Sequence, residues 1–189
     1  MKKKDVRRIE LEKRIQLSSQ ELQDRTASIA SQFTNHLLSP LLYLLSYYPL
    51  KERNEFDVAI CEQITREKHP MVKVAWPKIV FNSSNMEAHL IEKDTLFIKN
   101  KFNILEPLDG VIIAPSSIDI VFVPLIAFDK KGYRVGYGKG FYDRYLPGCR
   151  PDVLKIGFSF FERVDQIDDI NEFDVPLNLC ITPTCIYEF

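Results

Sequence analysis

The sequence predicts an α/β layered fold built around one core, and three observations carry that prediction. From Leu41 onward, short apolar runs alternate with stretches of helical period, the pattern of strands layered against helices. The residues before Leu41 read instead as two consecutive amphipathic helices. The chain's 189 residues, 46% hydrophobic and 27% charged, supply enough apolar surface for one full domain, and no linker, repeat or low-complexity tract divides it.

Taken in order, Asp5 to Ile15 spaces Val6, Ile9 and Ile15 among charged residues at roughly helical intervals. Ser18-Ser19-Gln20-Glu21 offers a capping box for a second helix. That helix turns Leu22, Ile29, Phe33 and Leu37 inward and stops by Ser39-Pro40, because the residue before a proline avoids helical geometry. Leu41 to Tyr48 reads as a buried strand, Glu55 to Lys68 as a helix, and Met71 to Trp76 as a strand that Pro77 ends. Phe81 to Pro115 is less regular, with Met86, a short strand around Thr95 to Ile98, and turn signals at Asn100-Lys101 and Asp109-Gly110. Ile118 to Val123 is a strong central strand closed by Pro124. A stretch rich in glycine and charge, Phe128 to Lys139, leads to a short helix near Gly140 to Leu146, then to strands at Val153 to Phe160 and Leu179 to Tyr187.

Charge narrows the function. With 25 Lys and Arg against 26 Asp and Glu, the net charge is -1, so nothing draws the chain in bulk toward nucleic acid or anionic lipid. A polyanionic ligand has to be held by a local cluster. Lys130, Lys131, Arg134, Lys139 and Arg144 are such a cluster, and they lack the aromatic stacking motifs of RNA-binding modules. Cys61, Cys149, Cys180 and Cys185 contain no C-x-x-C pair and read as reduced, packing cysteines. Thr26 to Leu50 carries no Asp, Glu, Lys or Arg. Its dense apolar part, Leu37 to Tyr48, falls short of the ~20 residues of a membrane helix and is split by Pro40. Met1 to Lys4 is basic, but Asp5 to Gln16 is charged where a signal peptide is apolar, so a cytoplasmic protein is expected. His36, His69 and His89 are scattered, with no nucleophile–base pair or metal triad in their spacing, and no G-x-S-x-G elbow occurs, which leaves serine hydrolase chemistry without a nucleophile.

The informative stretch is Arg134-Val135-Gly136-Tyr137-Gly138-Lys139-Gly140-Phe141-Tyr142-Asp143-Arg144, where three of seven glycines fall at alternate positions between a strand and a helix. Alternate glycines let successive backbone N–H groups converge on an anion, and the helix start adds partial positive charge; Lys139 and Arg134 would complete a phosphate cradle. Its spacing matches neither a Walker A loop nor a dinucleotide fingerprint. A tight turn needing positive φ is the plainer explanation of the same glycines.

The longer string from Val123-Pro124 through Ala127-Phe128-Asp129, Gly132 and Arg134 to Tyr142-Asp143-Arg144-Tyr145-Leu146 resembles the signature of the 5-formyltetrahydrofolate cyclo-ligase family, also called 5,10-methenyltetrahydrofolate synthetases. More than a dozen positions agree over some two dozen residues, and the resemblance extends along the whole chain. It implies a three-layer α/β/α sandwich over a mostly parallel sheet, with the site at the carboxyl ends of the strands. Lys3-Lys4-Asp5-Val6-Arg7 is similar to a family motif, implying that Lys3 and Arg7 bind ATP phosphates; four apart on a helix, they share a face. Alone, they would be an ordinary solvated basic end. Glu55-Phe56-Asp57-Val58 is similar to a second motif, implying that Glu55 contacts folate and that the Tyr48-Pro49 region lines its pocket; alone, Glu55 reads as a helix-start carboxylate. Met86-Glu87 and Asn100 to Pro107 are similar to middle motifs, with Phe102 a candidate wall for the pterin or a core residue. Asp143 and Asp174 match two magnesium carboxylates, which otherwise read as surface or capping residues; magnesium commonly uses one or two carboxylates plus phosphates and water.

The resemblance thus implies catalytic roles for Lys139, Arg134 and Tyr142. It implies ATP contacts at Lys3, Arg7, Arg134, Gly136, Tyr137, Gly138, Lys139, Gly140, Phe141 and Tyr142, and folate contacts at Tyr48, Glu55, Phe102, Tyr137 and Phe141. The implied reaction joins ATP and 5-formyltetrahydrofolate, with Mg2+, in a cytoplasmic monomer that needs neither nucleic acid nor membrane. A non-catalytic nucleotide- or folate-binding regulator of the same fold, and a phosphosugar isomerase or CoA transferase-like enzyme, are the competing readings. The chain departs from the family pattern at Leu125 for glycine, at Lys139 where many members have glycine, at Phe141 for tyrosine, at Val58 for threonine, and at Asn178 for aspartate.

Overall fold

In the computed structural model, which describes residues 1–36, 41–80 and 82–189, local chemistry sets the N-terminal helices. Helix α1 spans Lys3–Ile15 and α2 spans Ser19–Asn35. The expected capping box forms: the Glu21 N–H donates to Ser18 Oγ at 3.3 Å, and the Ser18 N–H donates to the Glu21 carboxylate at 2.9 Å. Ile29 and Phe33 are buried as expected, while Leu37 and the Ser39-Pro40 stop lie outside the described residues.

The remaining elements in chain order are β1 (Tyr43–Leu45), α3 (Ala59–Lys68), β2 (Lys73–Ile79), β3 (Met86–Leu90), β4 (Phe97–Lys99), β5 (Leu105–Pro107), β6 (Ile112–Ile113), β7 (Ile120–Phe122), β8 (Ala127–Phe128), β9 (Arg134–Val135), α4 (Phe141–Tyr145), β10 (Leu154–Phe158), β11 (Leu179–Ile181) and β12 (Ile186–Glu188). Eight strands form one sheet in the order β12-β11-β10-β7-β1-β2-β3-β6. The run from β11 to β2 is parallel, and antiparallel strands finish both edges. β4 pairs with β5 and β8 with β9 in separate hairpins. The fold is therefore the expected mixed α/β one with a mostly parallel sheet.

Side-chain alternation along the strands builds the layers. Leu44, Ile120, Phe122 and Ile181 face α2 and α3, where Phe33 packs edge-on against Phe122 and Phe158. Leu45, Val121, Val123 and Cys180 face the other way, onto Tyr145 and Leu146 around the short α4. Helix α1 stands apart, packing through Val6 on Ala127, Val135 and Ile167 at the β8–β9 hairpin. Among the described residues no helix is long and apolar enough to cross a membrane.

Several expected boundaries move. β2 runs through Pro77 to Ile79, because its pairing with β1 ends at Ala75 and beyond it only β3 is a partner; proline is tolerated on such an edge. The strand expected over Leu179 to Tyr187 is an antiparallel pair, β11 and β12, joined by a turn through Pro183. α3 begins at Ala59, so Glu55 precedes the helix and does not start it. The stretch expected to be irregular after residue 81 supplies β3 and β6 to the main sheet and β4–β5 beside β2.

Candidate active site

Strand order reverses between β1 and β7: the chain proceeds from β1 to β2 on one side, then from β7 to β10 and β11 on the other. Such a switch point leaves a crevice beyond the carboxyl ends of the strands. A cavity of about 420 Å³ lies there. Tyr47, Tyr48 and Leu50 enter it after β1, Pro77 and Ile79 from the end of β2, and Pro124 after β7. Every site residue expected from the sequence lines it: Lys3, Arg7, Tyr48, Glu55, Phe102, Arg134, Gly136, Tyr137, Gly138, Lys139, Gly140, Phe141, Tyr142, Asp143 and Asp174.

The two ends of the cavity differ in chemistry. One end is the glycine turn, held by the β8–β9 hairpin. Buried Asp129 anchors that hairpin by accepting the N–H groups of Lys131, Tyr133 and Ile167. Gly138 and Gly140 have φ of 84° and 67°, the tight turn that these glycines were expected to make. Among the described residues no backbone N–H from Tyr137 to Gly140 has a protein acceptor, which leaves a row of donors for a ligand. α4 is only five residues long, so its dipole adds less than the sequence suggested and the donors and cations carry the positive potential. Arg7 donates from Nε to Gly136 O at 2.7 Å, Lys3 pairs with Asp174, and Lys139 Nζ lies 5.0 Å from the centre of the Phe102 ring.

Arg134 is more committed than expected. Its side chain is 6% exposed, and its two arms bind Val175 O and Asp143 Oδ1, so it acts on the cavity by holding Asp143. Val175, which follows Asp174, also donates its N–H to Asp143 at 3.2 Å, bringing the two aspartates beside each other. Asp143 Oδ2 takes no hydrogen bond among the described residues, and no group of three or more His, Cys, Asp or Glu side chains gathers there. Asp143 thus keeps an open oxygen that fits magnesium arriving with a nucleotide, whereas both oxygens of Asp174 accept from Lys3 Nζ, so Asp174 could turn to a metal only as Lys3 moves to the phosphates.

The other end is apolar, walled by Tyr48, Ile79, Met86, Phe102 and Phe141, with Phe102 and Phe141 6.2 Å apart edge to face. Two buried carboxyls face this end. Glu55 accepts from Tyr137 Oη at 2.7 Å and from the Leu50 N–H at 2.8 Å; Glu106 accepts from Asn100 Nδ2 and the Ile79 N–H. The Tyr142 hydroxyl is buried without a partner among the described residues. Burial pushes the Tyr137 and Tyr142 phenols upward, so both stay protonated at neutral pH. Phe141 keeps a ring where the expected tyrosine hydroxyl would be. Asn178 lies away from the cavity, tying β10 to the C-terminal segment through Lys155.

Sequence reasoning missed Tyr47, Arg53, Ile79 and Glu106 as lining residues, and Arg14 behind them. Glu106 falls within the Asn100 to Pro107 stretch, where only Phe102 was singled out; the others belong to no motif, so only the fold assembles them.

Burial also raises the Glu55, Glu62 and Glu106 carboxyls above the ordinary carboxylate range. A raised folded-state pKa adds stability that is complete below the unfolded value and fades as pH rises through the folded one. The ligand-free protein is expected to melt at a higher temperature at about pH 5.5 than at about pH 8. Glu21 and Glu162 are shifted downward, so their stability contribution is lost only below the ordinary carboxylate range, under this window. Thermal unfolding at the two pH values checks it; equal midpoints would mean that these carboxyls ionise as they do in water.

Comparison with known proteins bears on this geometry. The model of the 5-formyltetrahydrofolate cyclo-ligase family matches residues 2–183. A curated 5-formyltetrahydrofolate cyclo-ligase from Mycoplasma pneumoniae is 29% identical over 184 residues, covering 96% of this chain and 98% of that protein. The solved structure of a 5,10-methenyltetrahydrofolate synthetase from Mycoplasma pneumoniae superposes with a TM-score of 0.75 at 26% identity, over 97% of this chain and 99% of the other. That of the Aquifex aeolicus 5,10-methenyltetrahydrofolate synthetase gives 0.76 at 25% identity, over 100% and 93%.

Proposed function

The chain belongs to the 5-formyltetrahydrofolate cyclo-ligase family, a family of enzymes, and from that premise we propose that it closes 5-formyltetrahydrofolate to 5,10-methenyltetrahydrofolate at the expense of ATP, with magnesium, releasing ADP and phosphate. The observation that carries the proposal is the two-ended cavity, with a row of unpaired backbone donors and three cations at one end and an aromatic slot with a buried carboxylate at the other.

A formamide oxygen is a poor leaving group. Transfer of the γ-phosphoryl group to it gives an activated imidate-like phosphate; the neighbouring folate nitrogen then attacks the formyl carbon, and the C–O bond breaks as phosphate leaves, taking with it the proton that the nitrogen gives up. The protein's task is alignment and charge neutralisation, and no protein nucleophile is required. Lys3, Arg7, Lys139 and the N–H groups of residues 137–140 bind the phosphates. Phe102, Phe141 and Tyr48 hold the folate ring system, with Glu55 accepting from its N–H donors. Tyr142 donates to an oxygen of the reacting groups, and Arg134 keeps Asp143 in place. Magnesium, held by Asp143 and Asp174, supplies charge neutralisation on the phosphates when it is bound. The enzyme works as a cytoplasmic monomer on small molecules.

The test is the absorbance band of the methenyl product on mixing protein, 5-formyltetrahydrofolate, ATP and magnesium. Growth of the band only in the complete mixture is expected. Ligand binding without the band would favour a regulator, and neither binding nor band would point to a phosphorylated metabolite instead.

A further inference from the structure

Arg14 is an unusual residue for its position. It sits near the end of α1 and is 4% exposed, yet it belongs to no part of the reaction just described and does not line the cavity. All three arms of its guanidinium are used: Nε donates to Arg53 O at 2.9 Å, Nη1 to Leu125 O at 3.0 Å, and Nη2 to Tyr137 Oη at 2.6 Å. Tyr137 in turn donates its hydroxyl hydrogen bond to Glu55 Oε1 at 2.7 Å. Cation, phenol and carboxylate thus form one directed chain from behind the wall into the cavity.

We propose that Arg14, acting through the Tyr137 hydroxyl, is a positioning residue that offsets the burial of the Glu55 carboxylate and fixes its orientation for the N–H donors of the folate ring. The proposal rests on the cyclo-ligase reading for the identity of the ligand. A buried carboxylate in an apolar slot is costly in its charged form unless a partner offsets the lost water. The groups facing Glu55 come from every neighbouring element: Arg14 on α1, Arg53 in the turn after β1, Tyr47 at the end of β1, Tyr137 in the glycine turn and Tyr142 on α4. The three phenols are neutral. Arg53 is exposed, and its charge is screened by solvent. Arg14 is therefore the one buried cation among them. Asn54 reinforces the geometry, since in a left-handed conformation at φ 48° it donates from Nδ2 to the carbonyls of Arg14 and Ile15, fastening the end of α1 to the residue before Glu55.

Arg14 also helps dock α1, so the experiment must separate positioning from scaffolding. Calorimetric binding of 5-formyltetrahydrofolate and of ATP is measured between pH 5.5 and 8.5 for wild type, Arg14→Met, Tyr137→Phe and the double variant. Without Arg14 the carboxyl holds its proton to higher pH, so the acid limb of folate binding is expected to move up by about one pH unit, with folate affinity down by as much as ~tenfold on the acid side of the limb, less on its alkaline side, and ATP affinity unchanged. Tyr137→Phe is expected to move the limb in the same direction, and the double variant no further than Arg14→Met alone. An unmoved acid limb, or folate and ATP affinity falling by the same factor, would overturn the proposal. If Arg14→Met does not fold, Tyr137→Phe decides by the same criterion. A wild type that binds the folate without cyclising it overturns the cyclo-ligase reading while the binding limbs still judge Arg14, and a wild type that binds no folate overturns both.

Discussion

Asp143→Ala is expected to lose turnover and stability together. Asp143 Oδ1 accepts from Arg134 Nη2 at 2.9 Å, and the Arg134 side chain is 6% exposed, so removing the carboxylate strands a buried cation at a cost of about 3–5 kcal/mol. Asp143→Asn separates the two roles. The amide keeps an oxygen for Arg134 and for the Val175 N–H, but loses the charge that suits a magnesium ion. Its melting temperature is expected to fall by less than that of Asp143→Ala, because only the charge and not the hydrogen bond is lost, while kcat at saturating ATP and magnesium falls by at least ~100-fold. Both numbers come from one preparation. Wild-type turnover in Asp143→Asn would reduce Asp143 to a structural partner of Arg134.

Gly157→Val is expected to be the most damaging change outside the site. Gly157 lies in β10 between two paired strands. Even a Cβ there would stand 2.4 Å from Leu125 Cδ2 and 2.8 Å from Leu177 Cδ1, and both leucines are buried. Overpacking of that kind typically costs about 1–3 kcal/mol, with the bulkier valine at or above the top of the range. Leu125 is the residue that departs from the family's glycine, and it fills the space that the missing side chain of Gly157 leaves open. Shortening it to alanine should relieve part of the clash, so Gly157→Ala with Leu125→Ala is expected to lose less stability than the two single variants summed. Urea unfolding of the four proteins gives the coupling, and additive losses would mean the two sites do not feel each other.

How far the sequence reaches is clearest at particular residues. The glycine turn was legible in residue type and spacing, whereas Lys3 with Arg7, Glu55 and the two aspartates were singled out only through their resemblance to family motifs; all of them line one cavity. Arg14 was not, because an arginine two residues from a helix end reads as solvated until the fold buries it against Leu125 and Tyr137. Pro77 misled for a related reason: its effect on a strand depends on whether a partner lies on that side, and β1 ends at Leu45, opposite Ala75. The antiparallel edge strands β3, β6 and β12 were blurred because short strands at a sheet edge lack the long apolar runs that mark its parallel centre.

Lys3, Arg7 and Arg14 ride on one helix, and that helix docks chiefly on the small β8–β9 hairpin and the turn after β1. Undocking α1 would therefore release, in one event, the cations proposed for the nucleotide and the arm proposed to hold the folate's acceptor. If the proposed contacts are made, each ligand would bind the docked state better and draw down any undocked population before the other arrives. The two substrates are then coupled positively without touching, by a factor no larger than the inverse of the docked fraction in the free protein. Order of addition would matter little to such a device; occupancy of either end primes the other.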